Sequence, residues 1–301
     1  MQIELNDTNA SEIARAMVKA RMASGSPAMD MVLTFVVITD EDGVADALRD
    51  ATDLAKEHPA RVIGVIRGSG RGAATLHAKV RVGQETSGES VLLRMSGQLV
   101  KHAESVVLPL LLPDSPVVVW WPGEAPADPA EDPIGRLAQR RLTDSEASSK
   151  PVHALRAVAR RYEPGDTDLA WTRLTPMRGL LAAALDQTRS KVRSAELVAG
   201  PGNPAAVLLA AWLEDRLRID VSLTEGSYPH VSQVKLHTDA GDVLITREAD
   251  TTTFSVPGAS ERQVPLVTRT VPELLAEDLR RLDADDVYES TVKHMLEKGT
   301  R

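Results

Sequence analysis

The sequence of 301 residues contains no cysteine, and only 3% of its residues are aromatic. The lack of cysteine excludes disulfides, thiolate nucleophiles, zinc sites with cysteine ligands and control by thiol oxidation. With so few aromatic rings, the hydrophobic core must be built mainly from Val, Leu, Ile and Ala.

Long apolar runs and an excess of positive charge are also missing. No run approaches the roughly 20 apolar residues that cross a bilayer, and the first residues lack the basic and apolar regions of a signal peptide. We therefore expect a cytoplasmic protein without a membrane partner. The net charge of -8 argues against nucleic-acid binding, which needs clustered positive charge.

The composition, 43% hydrophobic and 26% charged, is that of a folded globular protein, and the length favours two domains. In residues 1–163 the pattern predicts an α/β domain with a mixed, partly parallel sheet. Buried strands at 29–39 and 62–66 flank a helix with apolar positions from 44 to 55, which predicts a parallel βαβ unit. The other predicted features are a helix capped by Asp7-Thr8 and ending before Gly25, strands at 76–82 and 90–95 around a Gly-rich turn at 83–88, and one helical face over 99–111.

In residues 164–301 the pattern predicts an α+β domain with an antiparallel meander and terminal helices. Thr175-Pro176 predicts a kink or two shorter helices, and Asn203-Pro204 predicts a helix start. The capping box from Thr270 to Glu273 predicts another start. The predicted meander has segments at 219–225, 230–238, 242–247, 251–256 and 263–269. Asp166 is expected to cap the first helix of this domain, and Asp283 the last.

The apolar run that ends at residue 121 stops abruptly in two tryptophans and a Pro-Gly turn. Trp120 and Trp121 are therefore expected at the carboxyl end of a strand, where open α/β sheets meet ligands and partners. One interpretation assigns Trp120, Trp121, Pro122 and Gly123 to a partner surface. The other has the tryptophans simply closing the core, and local sequence does not decide between them.

Three arginines follow this turn. Arg136 and Arg140 are four residues apart, so a helix would place them on one face, beside Arg141, to grip a carboxylate or phosphate. The alternative is a solvated helix face paired with Asp132 and Asp144, which the local sequence favours.

A second cluster consists of Asp166, Asp168, Trp171 and Arg173. Trp171 and Arg173 are candidates either for packing within the protein or for a partner surface. The four residues are therefore included among the candidate partner-binding residues.

No motif predicts a catalytic residue, a cofactor site or a metal site. The run Gly68–Gly72 lacks the spacing of a dinucleotide fingerprint and is expected in an exposed hairpin. The seven histidines form no pair at metal-binding spacing, and His230 and His237 would face opposite sides of a strand. No GxSxG or Walker-type loop is present.

The segments VVVWWPGEAP, DPIGRLAQRRLTDS, PGDTDLAWTRLTPMRGLLAAALDQ and ELLAEDLRRLDADDVY resemble the OpcA family of glucose-6-phosphate dehydrogenase assembly proteins, in its actinobacterial form. The resemblance covers nearly the whole chain. It implies a protein that is not an enzyme, and that promotes assembly or activation of glucose-6-phosphate dehydrogenase in the oxidative pentose phosphate pathway.

The sequence thus favours a binding and activation module that forms a hetero-oligomer with the dehydrogenase. Alanine at Trp120, Trp121 or Arg140 is then expected to weaken partner binding without unfolding the protein. The alternative is an enzyme or sensor that holds a sugar phosphate or nucleotide in the strand-end crevice of the N-terminal domain.

Overall fold

The computed structural model describes residues 1–24, 31–83, 88–248 and 251–298. The strands are β1 (Gln2–Leu5), β2 (Leu33–Thr39), β3 (Ala60–Arg67), β4 (Thr75–Gly83), β5 (Gly88–Ser96), β6 (Val117–Trp121), β7 (Arg140–Thr143), β8 (Asp166–Asp168), β9 (Val192–Ala199), β10 (Asp220–Glu225), β11 (Val231–Thr238), β12 (Gly241–Glu248), β13 (Thr251–Ser255) and β14 (Arg262–Pro265). The α-helices are α1 (Ala10–Ser24), α2 (Val44–Glu57), α3 (Ala103–Val107), α4 (Pro151–Ala159), α5 (Leu169–Arg173), α6 (Thr175–Thr188), α7 (Pro204–Leu217), α8 (Val271–Leu279) and α9 (Asp286–Lys298).

The chain forms two compact units whose segments interleave along the sequence. The first unit contains residues 1–144, 165–167 and 271–284. The second unit contains residues 145–164 and 168–270 and the residues from 285 onward. Each unit therefore includes chain from both sides of residue 164.

The first unit is built on an eight-stranded mixed sheet in the order β1-β4-β5-β3-β2-β6-β7-β8. Strands β5, β3, β2, β6 and β7 pair in parallel, whereas β1, β4 and β5 pair antiparallel. Strands β2 and β3 are buried along almost their whole length, as their unbroken apolar runs require. The predicted α/β class and the parallel βαβ unit are confirmed.

Some predicted boundaries in this unit are wrong. The cap of α1 is Asn9, whose Oδ1 accepts from the Glu12 amide at 3.1 Å, and the predicted helix end lies outside the described residues. The single helical face over 99–111 is broken into two 3-10 turns around α3. Pro109, which cannot donate a backbone hydrogen bond, lies in the second of these turns, where α3 ends. Strand β2 begins at Leu33; residues 29 and 30, and residues 84–87 of the predicted turn, lie outside the described residues.

The second unit has a six-stranded sheet in the order β10-β9-β11-β12-β13-β14. The meander from β11 to β14 is confirmed as antiparallel. The segment at 219–225 does not belong to it: β10 pairs in parallel with β9, because α7 makes a crossover between them. One sheet face packs on helices through fully buried residues such as Leu197, Leu236 and Ile245.

The observed helix starts of the second unit can be compared with the caps that the sequence predicted. Asn203 caps α7 by accepting from the Ala206 amide at 2.7 Å, as predicted. The predicted break at Thr175-Pro176 is confirmed, since α5 and α6 are separate helices. Asp166 lies in β8 rather than at a cap, and Asp285 rather than Asp283 receives the first amides of α9.

Among the described residues, none of the helices combines the length and apolar character that a membrane crossing requires.

Candidate functional site

The two adjacent tryptophans lie in the core of the first unit. Strand β6 runs between β2 and β7, with Trp120 paired to Val37 and Leu142. Trp120 and Trp121 are only 1% and 2% exposed. The Trp120 ring lies 6.1 Å from that of Phe35, between centroids. This geometry matches the interpretation in which both tryptophans close the core, and their partner-binding role stays a prediction.

One polar atom in this core is unusual. The indole Nε1 of Trp120 is buried and has no hydrogen-bond partner among the described residues. A buried donor of this kind costs about 1–3 kcal/mol relative to a satisfied one. The contribution of Trp120 to the core is therefore the volume of its buried ring and not a hydrogen bond.

The loop after β6 is held by one carboxylate. Asp132 accepts two hydrogen bonds from the Arg67 guanidinium, at 2.6 and 2.7 Å. Its Oδ1 also accepts from the backbone amides of Ile134 and Gly135, at 2.9 and 3.2 Å. The sequence analysis offered Asp132 as an ion-pair partner for the arginines between residues 136 and 141. In the structure Asp132 pairs with Arg67 instead. A bidentate arginine with two further amide donors makes this loop rigid.

Gly135 is the tightest point of the same loop. A Cβ atom built on it would lie 1.8 Å from the carbonyl oxygen of Pro129 and 3.2 Å from Cη2 of Trp121. No side chain fits there, so the loop can close over the Trp121 ring only with glycine at this position.

The predicted helix carrying the three arginines is not formed. Arg136 lies in a 3-10 turn, Gly135–Leu137, while Arg140 and Arg141 lie on strand β7. Successive residues of a strand point to opposite faces, so Arg140 and Arg141 diverge. The prediction of one shared helical face is wrong because residues 140–143 extend the parallel sheet beside β6.

Arg140 and Arg141 are each buried against an aspartate from a distant part of the chain. Arg140 donates from Nε and Nη2 to Oδ1 of Asp278, at 2.9 and 2.7 Å, and from Nη1 to the Asp283 carbonyl at 3.2 Å. Arg141 donates from Nε to Asp166 at 2.5 Å and from Nη1 to the Ala138 carbonyl at 2.9 Å. Both guanidiniums therefore hold the first unit together, in place of the predicted solvated helix face.

Of the three arginines predicted for the partner surface, Arg136 is the one whose side chain is exposed to solvent. Its side chain is 58% exposed, and its Nη1 lies 4.0 Å from the Glu131 carboxylate, at the limit of an ion pair. Pro122 and Gly123 are partly exposed at the start of the same loop. The accessible part of the predicted partner surface in the first unit is thus Pro122, Gly123 and Arg136, on the rigid loop after β6.

In the second unit Asp168 performs the capping role that the sequence had assigned to Asp166. Its Oδ1 accepts from the Ala170 amide and from the Ser145 hydroxyl, both at 2.9 Å, and its Oδ2 accepts from the Ser145 amide at 3.0 Å. The side chain is buried. Asp168 therefore joins the start of α5 to the turn at Ser145.

Trp171 and Arg173 also make internal contacts in the second unit. The Trp171 indole donates to Asp285 at 2.9 Å, and the Arg178 guanidinium carbon lies 3.6 Å from the ring centroid, in a cation–π arrangement. Arg173 Nε lies 3.0 Å from a carboxylate oxygen of Glu146. Of the two alternatives for these residues, the contacts match packing within the protein.

Sequence reasoning missed a charged cluster on the second sheet. His237 lies within hydrogen-bond distance of both Glu196, at 3.0 Å, and Asp242, at 2.9 Å. The hydrogen bond with Glu196, and then that with Asp242, raises the pKa of His237 above its ordinary value. Lys235 Nζ lies 3.0 Å from the other Asp242 oxygen. Only the strand register brings these residues together, and the sequence spacing of the histidines did not indicate it.

The run Gly68–Gly72 is exposed, as expected, and connects β3 to β4 without a helix. It is not a hairpin, because β5 lies between these two strands in the sheet. Within the described ranges no group of three or more His, Asp or Glu side chains is arranged to hold a metal ion.

Comparisons with known proteins identify the family. Residues 51–160 match the family model described as the glucose-6-phosphate dehydrogenase subunit N-terminal domain. Residues 164–292 match the model of the corresponding C-terminal domain. No curated protein matches the sequence.

Two solved structures show only remote likeness. The UDP-N-acetylglucosamine 3-dehydrogenase GnnA from Acidithiobacillus ferrooxidans has 10% identity and a TM-score of 0.44, with 88% of this chain and 96% of that chain covered. A structure described as trehalose-6-phosphate from E. coli bound with UDP-2-fluoro glucose has 10% identity and a TM-score of 0.27, with 64% of each chain covered. Neither likeness bears on function. The two family models account for both halves of the sequence, and the chain belongs to the OpcA family of glucose-6-phosphate dehydrogenase assembly proteins.

Proposed function

We propose that this protein is a non-catalytic activator that binds glucose-6-phosphate dehydrogenase and stabilises its active, assembled form. The observation that carries the proposal is the match of both halves of the chain to models of a dehydrogenase subunit. An activator of this kind acts only by binding the active conformation more tightly than the inactive one. A coupling free energy of roughly 1–3 kcal/mol would change affinity about 5- to 150-fold.

The internal contacts of the charged residues support a binding role. Arg140, Arg141 and Asp168 are each engaged by partners within the protein. Such residues position backbone and loops and do not present groups to a reacting substrate. At the carboxyl ends of the parallel strands, Arg67 at the end of β3 is already paired with Asp132, so this cation is engaged within the protein.

The contact surface proposed for the first unit is the loop after β6, with Arg136 as its exposed cation and Pro122-Gly123 at its base. Arginine is enriched among residues that dominate interface energies. The candidates Trp120, Trp121, Arg140, Arg141 and Asp166 are buried, so in this proposal they contribute to the stability of the first unit and not to direct contact with the partner. The candidates of the second unit, Asp168, Trp171 and Arg173, make internal contacts in that unit, and their part in partner binding stays a prediction.

The primary test is a titration of the chain into the dehydrogenase of the same organism, with kcat and KM measured beside complex mass by light scattering. We expect a larger complex and higher activity. A chain that forms no complex and changes neither kinetic constant would refute the proposal.

The loop surface has its own test in Arg136→Ala. We expect a weaker complex, with Kd raised roughly tenfold, which corresponds to about 1.4 kcal/mol and to an arginine that contributes strongly to the interface. Arg49→Ala, which removes another exposed arginine from the first unit, is the matched control and should leave Kd unchanged. Equal affinities for the two variants would exclude the loop from the interface.

A further inference from the structure

Helix α4 of the second unit presents a surface of cations. Its apolar side chains Leu155, Val158 and Ala159 are buried in the core of that unit. The remaining side of the helix and its two ends carry five basic side chains, of which Arg156 is partly exposed and the other four are exposed. We call this set the basic face of α4, and it consists of Lys150, His153, Arg156, Arg160 and Arg161.

The charge of the basic face is not neutralised by any carboxylate that the structure describes. Within the described ranges, none of its five side chains forms an ion pair. Glu146 lies in the turn that packs against α4, but its carboxylate is paired with Arg173 at 3.0 Å. The Nε atom of Arg156 is buried and has no hydrogen-bond partner among the described residues. The positive charge of the face is therefore available to a partner from outside the chain.

Part of this arrangement lowers the stability of the helix. Lys150 occupies the N-cap of α4 without a side-chain cap hydrogen bond, and the first turn contains no acidic residue. A lysine side chain cannot accept from the first amides, and its charge is unfavourable at the positive end of the helix dipole. Arg156 and Arg160 are four residues apart, so they place like charges on one side of the helix. Residues that break local rules without a compensating contact are characteristic of functional sites.

The size of the basic face fits a partner that bears several anionic groups. At about 1.5 Å of rise per residue, the span from Lys150 to Arg161 covers roughly 16 Å. One carboxylate or phosphate accepts from one or two guanidinium groups, so a single small anion would leave most of this face unpaired. The face therefore suits an extended anionic surface.

The surroundings of the cations favour a protein over a membrane or a nucleic acid. A helix that lies on a membrane inserts exposed apolar side chains, and no large hydrophobic side chain of α4 is exposed. Single-stranded nucleic acids stack on aromatic rings, and the aromatic residue nearest to the face, Tyr162, is partly buried with its ring against that of Tyr288. A long polyanion would also extend beyond the face and meet a chain with a net charge of -8. Carboxylates on a folded protein can match the face without extending beyond it.

We infer that the basic face of α4 is a docking surface for a carboxylate-rich surface of a protein partner. The inference rests on the proposed function, under which the partner to test is glucose-6-phosphate dehydrogenase. Because the whole chain has a net charge of -8, an acidic surface is repelled by the chain as a whole and attracted at this face. Complementary charge of this kind accelerates association and selects the orientation in which the partner binds.

The experiment reverses charge on the basic face and compares it with the same reversal elsewhere. The face variant is Arg160→Glu/Arg161→Glu, and its matched control is Lys19→Glu/Arg71→Glu, which replaces two exposed cations of the first unit. Both pairs change the net charge by the same amount. Association rates and Kd for the dehydrogenase are measured at several salt concentrations. Light scattering, circular dichroism and thermal unfolding are applied to each chain alone.

A second variant separates binding from folding. Lys150→Asp removes a cation of the face and supplies the N-cap acceptor that α4 lacks. We expect this variant to have an equal or higher Tm and, at the same time, a weaker complex with the dehydrogenase. Loss of fold cannot explain that combination.

For Arg160→Glu/Arg161→Glu we expect Kd to rise about tenfold or more near 0.15 M salt, mainly through slower association. The difference from the unsubstituted chain should shrink as salt rises toward about 1 M, where the Debye length is only about 3 Å. The control pair should retain the affinity of the unsubstituted chain to within a few-fold.

Several results would overturn the inference and leave the proposed function standing. One is unchanged dehydrogenase affinity in both face variants, and another is an equal loss of affinity in the face pair and the control pair. A third is binding of a DNA duplex or of phosphatidylserine vesicles that disappears in Arg160→Glu/Arg161→Glu while dehydrogenase binding is retained. A fourth is an oligomer of the chain alone that dissociates in the same variant with dehydrogenase binding retained. Failure of the unsubstituted chain to bind the dehydrogenase would instead refute the proposed function, and the inference with it.

Discussion

Substitution of Arg140 by alanine should destabilise the first unit severely. The side chain connects β7 to helix α8 and to the segment after it, with two hydrogen bonds to Asp278 and one to the Asp283 carbonyl. The side chains of Arg140 and Asp278 are each only 4% exposed. Removal of the guanidinium takes away these three hydrogen bonds and the cation that Arg140 places beside the buried Asp278 carboxylate.

The magnitude follows from that burial. Loss of one partner of a buried ion pair costs about 3–5 kcal/mol, most of it the penalty for the charge that remains. For a unit of 150–250 residues, each kcal/mol lowers Tm by about 2–4 °C, so the expected fall is roughly 6–20 °C. Arg140→Ala is therefore unsuitable as a test of partner binding, since the variant would lose fold and affinity together.

The assay is urea unfolding followed by tryptophan fluorescence, to which Trp120 and Trp121 contribute from the first unit and Trp171 and Trp212 from the second. Arg136→Ala is the matched control, since its side chain is exposed and its free energy of unfolding should change by no more than about 0.5 kcal/mol. The double variant Arg140→Met/Asp278→Leu removes both charges and should recover most of the lost stability. A decrease below about 1 kcal/mol for Arg140→Ala, or no recovery in the double variant, would refute this account of the pair.

Two further predictions concern the loop after β6 and the charged cluster around His237. Gly135→Ala should lower stability by at least about 2 kcal/mol, because its Cβ would meet the Pro129 carbonyl oxygen, whereas Gly123→Ala has open space and should be tolerated; equal melting temperatures for the two variants would contradict this. His237 has a raised pKa because two carboxylates flank it, so its ion pairs should contribute fully below about pH 6.5 and be lost as pH rises through the raised value. Glu196→Gln should lower the pKa of His237 in an NMR titration, and an unchanged titration would show that Glu196 does not contribute.

Local signals in the sequence predicted local structure well. Asn203-Pro204 marked the start of α7, and Thr175-Pro176 marked the division between α5 and α6. Unbroken apolar runs identified the central parallel strands, because a strand covered on both faces has no polar side. These features depend on residues that are neighbours in the chain.

Features that depend on distant residues could not be predicted in this way. Arg140 and Asp278 are 138 residues apart, and no spacing rule connects them. A strand was not expected at residues 140–143, so the two arginines were placed on one helix face. The cluster around His237 likewise needs the register of β9, β11 and β12, which tertiary packing determines.

The interleaving of the two units has a consequence for synthesis of the protein. The first unit is complete only when residues 271–284, which contain helix α8, have been made, although most of that unit ends at residue 144. At about 5–20 residues per second, the ribosome needs roughly 7–28 s to make the intervening chain. During that time the chain lacks Asp278, the ion-pair partner of Arg140. The incomplete first unit can then bind chaperones or aggregate. A chain truncated near residue 163 would lack residues 165–167 and 271–284, and its first unit would therefore stay incomplete.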